Sequence, residues 1–276
     1  MKQKHLLKSV LLLVLVALLW SGGTLMAQRP SSEKRNAFWL DFGAGLGITN
    51  LYDNGTIPFT YNGINNDLRF GFTDEWKRCH IHFDAGRAKT NLSDLDGVVY
   101  GIGINLDFLY SCLKPSDSRW NFWSGAAFET FIDLKAISDL GNAAAAMSTF
   151  GNLSAVELLQ CNMAYSKDKS HPWLTAFFRL SLPILGLGSR PDFMYVHDPL
   201  GEENPIQLLT KHNESYFKMF PGCTTDLGFY LNLRNGNKIG LYYHWNYISS
   251  GKKGAYRYDN AFHNVNVSFM FKLNNK

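Results

Sequence analysis

The sequence predicts an all-β fold: a transmembrane antiparallel up-and-down β-barrel of about ten strands. Eight or twelve are the alternative counts, because the second and sixth strands have the weakest patterns. Three observations lead there. Apolar and polar residues alternate with a period of two over long stretches. Turn or loop signals separate consecutive stretches. The connections alternate between tight turns and longer irregular segments.

The alternation is clearest from Val98 to Leu134. Tyr100, Ile102, Ile104, Leu106, Phe108 and Tyr110 share one face, and Gly101, Gly103, Asn105 and Asp107 share the other. After the polar turn Lys114–Ser118, the series Trp120, Phe122, Ala126, Phe128, Ile132 and Leu134 faces away from Asn121, Gly125, Glu129 and Asp133. A period of two puts successive side chains on opposite faces of a strand. Both strands exceed the usual five or six residues of a soluble sheet. An apolar outer face over a polar, glycine-rich inner one is the pattern of a wall between lipid and lumen.

Residues 1–27 read as a signal peptide. Lys2, Lys4 and Lys8 precede the apolar run Val10–Trp20, and cleavage is expected after Ala27. That run is shorter than the roughly 20 residues a membrane helix needs. No cysteine lies near the cleavage site, so no lipid anchor is expected. Residues 28–276 then form one domain, the barrel. Loss of the three lysines leaves 24 basic residues (27 − 3) against 23 acidic ones, and this balance offers no footprint for nucleic acid.

Strand 1 shows Phe38, Leu40, Phe42, Ala44, Leu46 and Ile48 against Asp41, Gly43, Gly45 and Gly47. Its glycines share one face and lack the spacing of a nucleotide-binding loop. Residues 50–65 read as a loop. Strand 2 shows Leu68, Phe70 and Phe72 against Asp67, Arg69 and Gly71, with a turn at Asp74-Glu75. Strand 3 sets Cys79, Ile81, Phe83 and Ala85 against His80, His82, Asp84 and Gly86, and a loop follows over 91–97. After strands 4 and 5, residues 137–152 read as a long connection with a short helix at Ala143–Met147. Strand 6 carries Leu159, Cys161, Met163 and Tyr165 opposite Gln160, Asn162 and Ala164. Strand 7 sets Leu174, Ala176, Phe178, Leu180, Leu182 and Ile184 against Thr175, Phe177, Arg179 and Ser181, and Pro183 calls for a bend or bulge. Residues 188–214 form the longest loop. Strand 8 sets Leu227, Phe229, Leu231 and Leu233 against Thr224, Asp226, Gly228, Tyr230 and Asn232. After the hairpin signal Asn235-Gly236, strand 9 sets Ile239, Leu241, Tyr243, Trp245 and Tyr247 against Gly240, Tyr242, His244 and Asn246. Residues 249–259 read as a basic loop whose stretch Lys252–Tyr258 mixes cations and aromatics. Strand 10 closes the chain with Val265, Val267, Phe269 and Phe271 against Asn264, Asn266 and Ser268.

The inward set is rich in charge: Asp41, Asp67, Arg69, His80, His82, Asp84, Asp107, Glu129, Asp133, Arg179, Asp226 and His244. A charge in a narrow barrel needs a partner, so these residues are expected to form a polar network in the lumen. Asp226 is the first candidate partner of Arg179, and Asp67, Asp41 and Asp84 are candidates for Arg69. His80-x-His82-x-Asp84 offers imidazole and carboxylate on one face. Alternate residues stand nearly 7 Å apart on a strand (about 3.3 Å per residue), too far to close on one ion, so neither a metal nor a cofactor is expected. The four cysteines have no metal-binding spacing. Cys79 and Cys112 are the one conceivable disulfide pair, although four small apolar side chains on outward strand faces explain the set better.

Val265, Val267, Phe269 and Phe271 resemble the closing strand that the outer-membrane assembly machinery recognises in Gram-negative barrel proteins, although Lys272–Lys276 follow where that strand usually ends. The Ala27-Gln28 junction and the aromatic strands look like the small outer-membrane barrels of the Bacteroidota. That resemblance implies an outer-membrane address, with outer-membrane lipid, lipopolysaccharide and the assembly machinery as partners. It implies no activity. Barrel phospholipases and lipid A deacylases resemble one another in a His-x-Ser strand motif. Here the corresponding stretch is His244-Trp245-Asn246, and Ser249 has the opposite parity. Ten-stranded barrel proteases use Asp pairs and an Asp-x-His pair at the external rim, whereas His82-x-Asp84 runs in the reverse order. The expected function is that of a non-enzymatic outer-membrane barrel: a structural barrel, a narrow porin-like channel or a surface-binding scaffold. A rim hydrolase of lipid or peptide is the alternative.

Overall fold

The computed structural model describes residues 35–273, except 55–56, 77, 94, 113–118, 139–144, 166–171, 192–212, 219 and 253–254. The expected signal peptide, residues 1–27, lies outside the described residues, as does the expected polar turn Lys114–Ser118.

Eleven β-elements build one sheet: β1 (Arg35–Asp53), β2 (Ile57–Trp76), β3 (Cys79–Leu92), β4 (Gly97–Ser111), β5 (Trp120–Ile137), β6 (Ala145–Tyr165), β7 (Pro172–Pro191), β8 (Asn213–Lys218), β9 (Gly222–Asn232), β10 (Lys238–Lys252) and β11 (Ala255–Leu273). Neighbours in sequence pair with each other, except β8 and β9. β1 pairs with β11 from Phe38↔Leu273 to Asp53↔Tyr258, and the β6–β7 pairing completes the ring. β8 and β9 occupy one position, since both pair with β7, over Gly186–Pro191 and Leu174–Ser181 respectively. The result is a closed ten-stranded antiparallel barrel. Closure pairs β1 with β11 and β6 with β7, so the ring has no end strand, which an open sheet always has.

The break in the eighth position has a local cause. The β6–β7 register shifts between Leu153↔Leu185 and Ser154↔Pro183, and the inward parity of β7 passes from Ser181 to Gly186. Pro183 has no N–H for the ladder, as its place in the sequence suggested. On the facing element the chain breaks around Pro221, whose carbonyl accepts from Ser249 N at 2.8 Å. Phe220 is fully buried. A Cβ on Gly186 would overlap its ring, so glycine leaves the space that Phe220 fills.

The parities of all ten strand positions are those of the sequence. Leu46 is 68% exposed and Leu68 62%, while Asp67 is 4% exposed and Asp107 1%. The inward glycines of β1 serve the β1–β11 seam. A Cβ on Gly45 would overlap the Asn266 side-chain oxygen, and one on Gly47 would overlap the His263 carbonyl oxygen.

The strand ends differ from the sequence reading. Residues 50–53 and 57–65, expected as loop, belong to β1 and β2, and Asp74-Glu75 lies inside β2 rather than at a turn. Residues 145–152 are strand, so Ala145–Met147 are not helical, and 188–191 extend β7. Residues 249–252 and 255–259, expected as a basic loop, are strand as well. Connections therefore do not alternate cleanly in length. The gap after β1 is 54–56 and that after β10 is 253–254, whereas the gap after β4 is 112–119. The cause is a change of pattern at the end of the barrel away from the chain termini, called here the distal end. There the outer face turns polar (Asn50, Thr60, Asn62, Asp259) and the inner face turns apolar (Leu51, Tyr61, Ile248, Tyr258). All four cysteines are free thiols, Cys79 and Cys112 included.

Candidate functional site

The lumen is filled in layers. At the end near the termini, Trp39, Ala37 and Met270 form one apolar cluster. Leu109, Trp123, Ala127, Val156, Leu158 and Phe177 form another. At the distal end, Leu51, Tyr61, Val99, Ile137, Phe150, Phe220, Ile248 and Tyr258 pack together, with Phe150 against Phe220 and Tyr258 at centroid distances of 5.6 and 4.9 Å. A cavity of about 200 Å³ remains in the lumen, lined by Asp41, Arg69, His82, Arg179, Tyr242 and His244 among others.

The charged residues lie between these layers. Arg179, on β7, faces Asp107 on β4 across the lumen and grips it with both arms. Nε donates to Oδ2 at 2.7 Å and one terminal nitrogen to Oδ1 at 2.8 Å. Such paired bonds are the strong form of Arg–carboxylate contact. The same guanidinium reaches Glu129 at 3.3 Å, Asn105 at 3.4 Å and Asp226 at 3.6 Å. Asp107 is thus the main partner, where the sequence put Asp226 first. Strand adjacency points to Asp226, but an inward side chain in a narrow barrel also meets the opposite wall.

Asn105 continues the network by donating to Asp84 Oδ1 at 3.1 Å. Arg69 donates to Asp67 at 2.6 Å and stands 4.0 Å from Asp84. Asn264 donates to the same Asp67 oxygen at 3.5 Å. Two His–Asp pairs are attached: His82 Nε2 lies 3.4 Å from Asp84, with its Nδ1 2.9 Å from the Thr73 hydroxyl, and His244 Nδ1 lies 2.6 Å from Asp226. His80 rests on the Trp123 ring, with 5.7 Å between the ring centroids. The Oδ1 atom of Asp41 is buried and has no hydrogen-bond partner among the described residues.

Asp133 belongs to a second cluster at the distal end. It accepts from Tyr258 Oη at 2.8 Å and stands 3.7 Å from Lys135 Nζ. Asp53 is held between Lys135 and Arg190. Both cations also lie over the Tyr258 ring, at 5.1 and 5.3 Å from its centroid. The sequence reading did not include Asp53, Lys135, Arg190 or Tyr258. Lys135 could have been found by extending the inward parity of β5 past Asp133. Asp53, Arg190 and Tyr258 sat in stretches read as loop.

The arrangement can hold charge and block passage. Neither His–Asp pair lies at a rim, and neither has a serine nucleophile beside it among the hydrogen bonds described.

No protein-family model matches the chain, and no curated protein does either. Among solved structures it is similar to the outer membrane protease OmpT from Escherichia coli: TM-score 0.57, 7% identity, 89% of this chain and 99% of that one. Neisserial surface protein A gives a TM-score of 0.33 at 12% identity over 87% of this chain and 100% of that one. The translocator domain of the autotransporter NalP from Neisseria meningitidis gives 0.40 at 10% identity over 94% and 97%. At this identity the likeness to OmpT is one of fold: the chain has the fold of an outer-membrane β-barrel.

Proposed function

We propose that the chain is a non-enzymatic outer-membrane barrel with a plugged lumen, exported by a signal peptide cleaved after Ala27 in a Gram-negative cell of the Bacteroidota type. Its termini face the periplasm and its distal end faces outward. It acts as a stable surface scaffold rather than an open pore, in contact with outer-membrane lipid and lipopolysaccharide. The assembly machinery reads its closing strand through Val265, Val267, Phe269 and Phe271. The observation that carries this reading is the layered lumen, in which apolar clusters at both ends enclose a connected ionic network. Ten strands leave little room once side chains fill the interior.

The expected result in planar bilayers is little or no conductance. A stable, large single-channel current would refute the plugged reading. The membrane reading has its own test. Phe178 points outward on β7 between Leu174 and Leu182 and is 38% exposed. Phe178→Arg is expected to cost about 2–4 kcal/mol in urea unfolding from lipid vesicles, the cost of a cation on a lipid face near the midplane. An unchanged unfolding midpoint would mean that this face meets water.

The hydrolase alternative draws on the likeness to the outer membrane protease OmpT. The lumen geometry weighs against it, because catalysis needs a base within reach of a nucleophile or water at a place substrate can enter.

A further inference from the structure

The outward wall of β3 ends its apolar stretch with two cations. Ile81, Phe83 and Ala85 point outward, then Arg87 and Lys89 on the same face, while Gly86, Ala88 and Thr90 point in. A tilted strand crosses the hydrocarbon in about 9–11 residues. Counted from Cys79, where β3 begins, that places Arg87 and Lys89 at the far edge of the apolar band. Their register neighbours are Leu68 and Ile102 for Arg87, and Asn66 and Tyr100 for Lys89. The Arg87 guanidinium carbon lies 5.1 Å from the Tyr100 ring centroid.

Neither cation forms an ion pair or hydrogen bond among the described residues. Arg257 makes the contrast: it also lies over a tyrosine, Tyr52, at 5.5 Å, but Asp259 neutralises it. Beyond Lys89 and Asn91, toward the distal end, a shallow groove runs past Val98 to Ala136. The carboxylate on its wall, Asp96, accepts from the Ser138 hydroxyl at 2.8 Å.

We propose that Arg87, Lys89 and Tyr100 bind the phosphate of a phosphorylated glycolipid in the outer leaflet, with its sugar lying toward Asn66, Asn91 and the groove. This rests on the reading of the chain as an outer-membrane barrel with its distal end outward. Arg87 supplies a planar fork for phosphate oxygens, Lys89 a second positive charge, and Tyr100 a face against which the guanidinium is held. The amides of Asn66 and Asn91 offer donors and acceptors to sugar hydroxyls. The apolar wall below takes the acyl chains.

The test uses the full barrel in neutral detergent. Binding is measured by native mass spectrometry with a bisphosphorylated lipid A glycolipid, its dephosphorylated form, phosphatidylglycerol and inorganic phosphate alone. The parent should bind the phosphorylated glycolipid at least tenfold more tightly than the other three, and the doubly substituted Arg87→Gln, Lys89→Gln variant should lose about tenfold or more, given the strength of basic side chains near anionic lipid. Arg257→Gln should stay within about twofold of the parent. Equal binding by parent and double variant, or binding of phosphatidylglycerol or phosphate as tight as that of the glycolipid, would overturn the proposal. Heat-modifiable migration on a gel confirms that each variant is folded. A chain that proves soluble without detergent defeats the membrane reading itself, whereas a membrane-embedded barrel with variant-insensitive binding defeats this site alone.

Discussion

Replacing Arg179 by leucine is expected to destabilise the barrel by about 3–5 kcal/mol, the usual cost of removing one partner from a desolvated ionic group. The guanidinium has 9% of its side chain exposed and faces Asp107, Glu129 and Asp226 at once. Leucine would leave Asp107, 1% exposed, without the ion pair that holds it. Urea unfolding in lipid vesicles measures the loss. An unchanged or raised midpoint would show that this layer is wet and that its charges are screened. Arg179→Lys should recover only part of the stability, because an ammonium cannot reproduce the paired bonds to Asp107.

Asp53→Ala is expected to cost about as much, roughly 3–5 kcal/mol, by a different route. Asp53 is 1% exposed and lies between Lys135 and Arg190, themselves nearly buried. Its removal takes the shared carboxylate away from two buried cations beside the distal apolar cluster, and Lys135 keeps only the longer contact to Asp133 at 3.7 Å. Replacing all three residues together, as Asp53→Ala, Lys135→Met and Arg190→Met, should restore much of the loss, because apolar side chains of similar volume often substitute for a buried ion pair at little cost. The comparison of single and triple variants by unfolding midpoint separates an ionic role from a packing one. A triple variant as unstable as the single one would show that Asp53 acts through other contacts.

These two positions also mark what could be read from the sequence. Arg179, Asp107 and Asp84 were legible because each lies in a long alternating strand whose other face is apolar. Parity alone assigns such a side chain to the lumen. Asp53 and Tyr258 were not legible, because β1 and β11 continue past the apolar band. There the outward residues become Asn50, Tyr52 and Asp259 while the inward ones become Leu51 and Tyr258. With the two faces exchanged, the alternation that marks a membrane strand reads as loop. The gap 54–56 carries the hairpin signal Asn54-Gly55, but it stood inside a longer stretch read as loop.

Local pattern therefore determined the fold class, the ten strand positions, the face of each residue within the apolar band and the bulge at Pro183, because side-chain direction along a strand depends only on parity. Tertiary structure decided the partners. Arg179 meets Asp107 first because closure brings the walls of β4 and β7 within reach of one side chain. Phe220 enters the lumen because Gly186 leaves it space. Which charges meet across a lumen depends on the shear and width of the closed ring, quantities that no single strand carries.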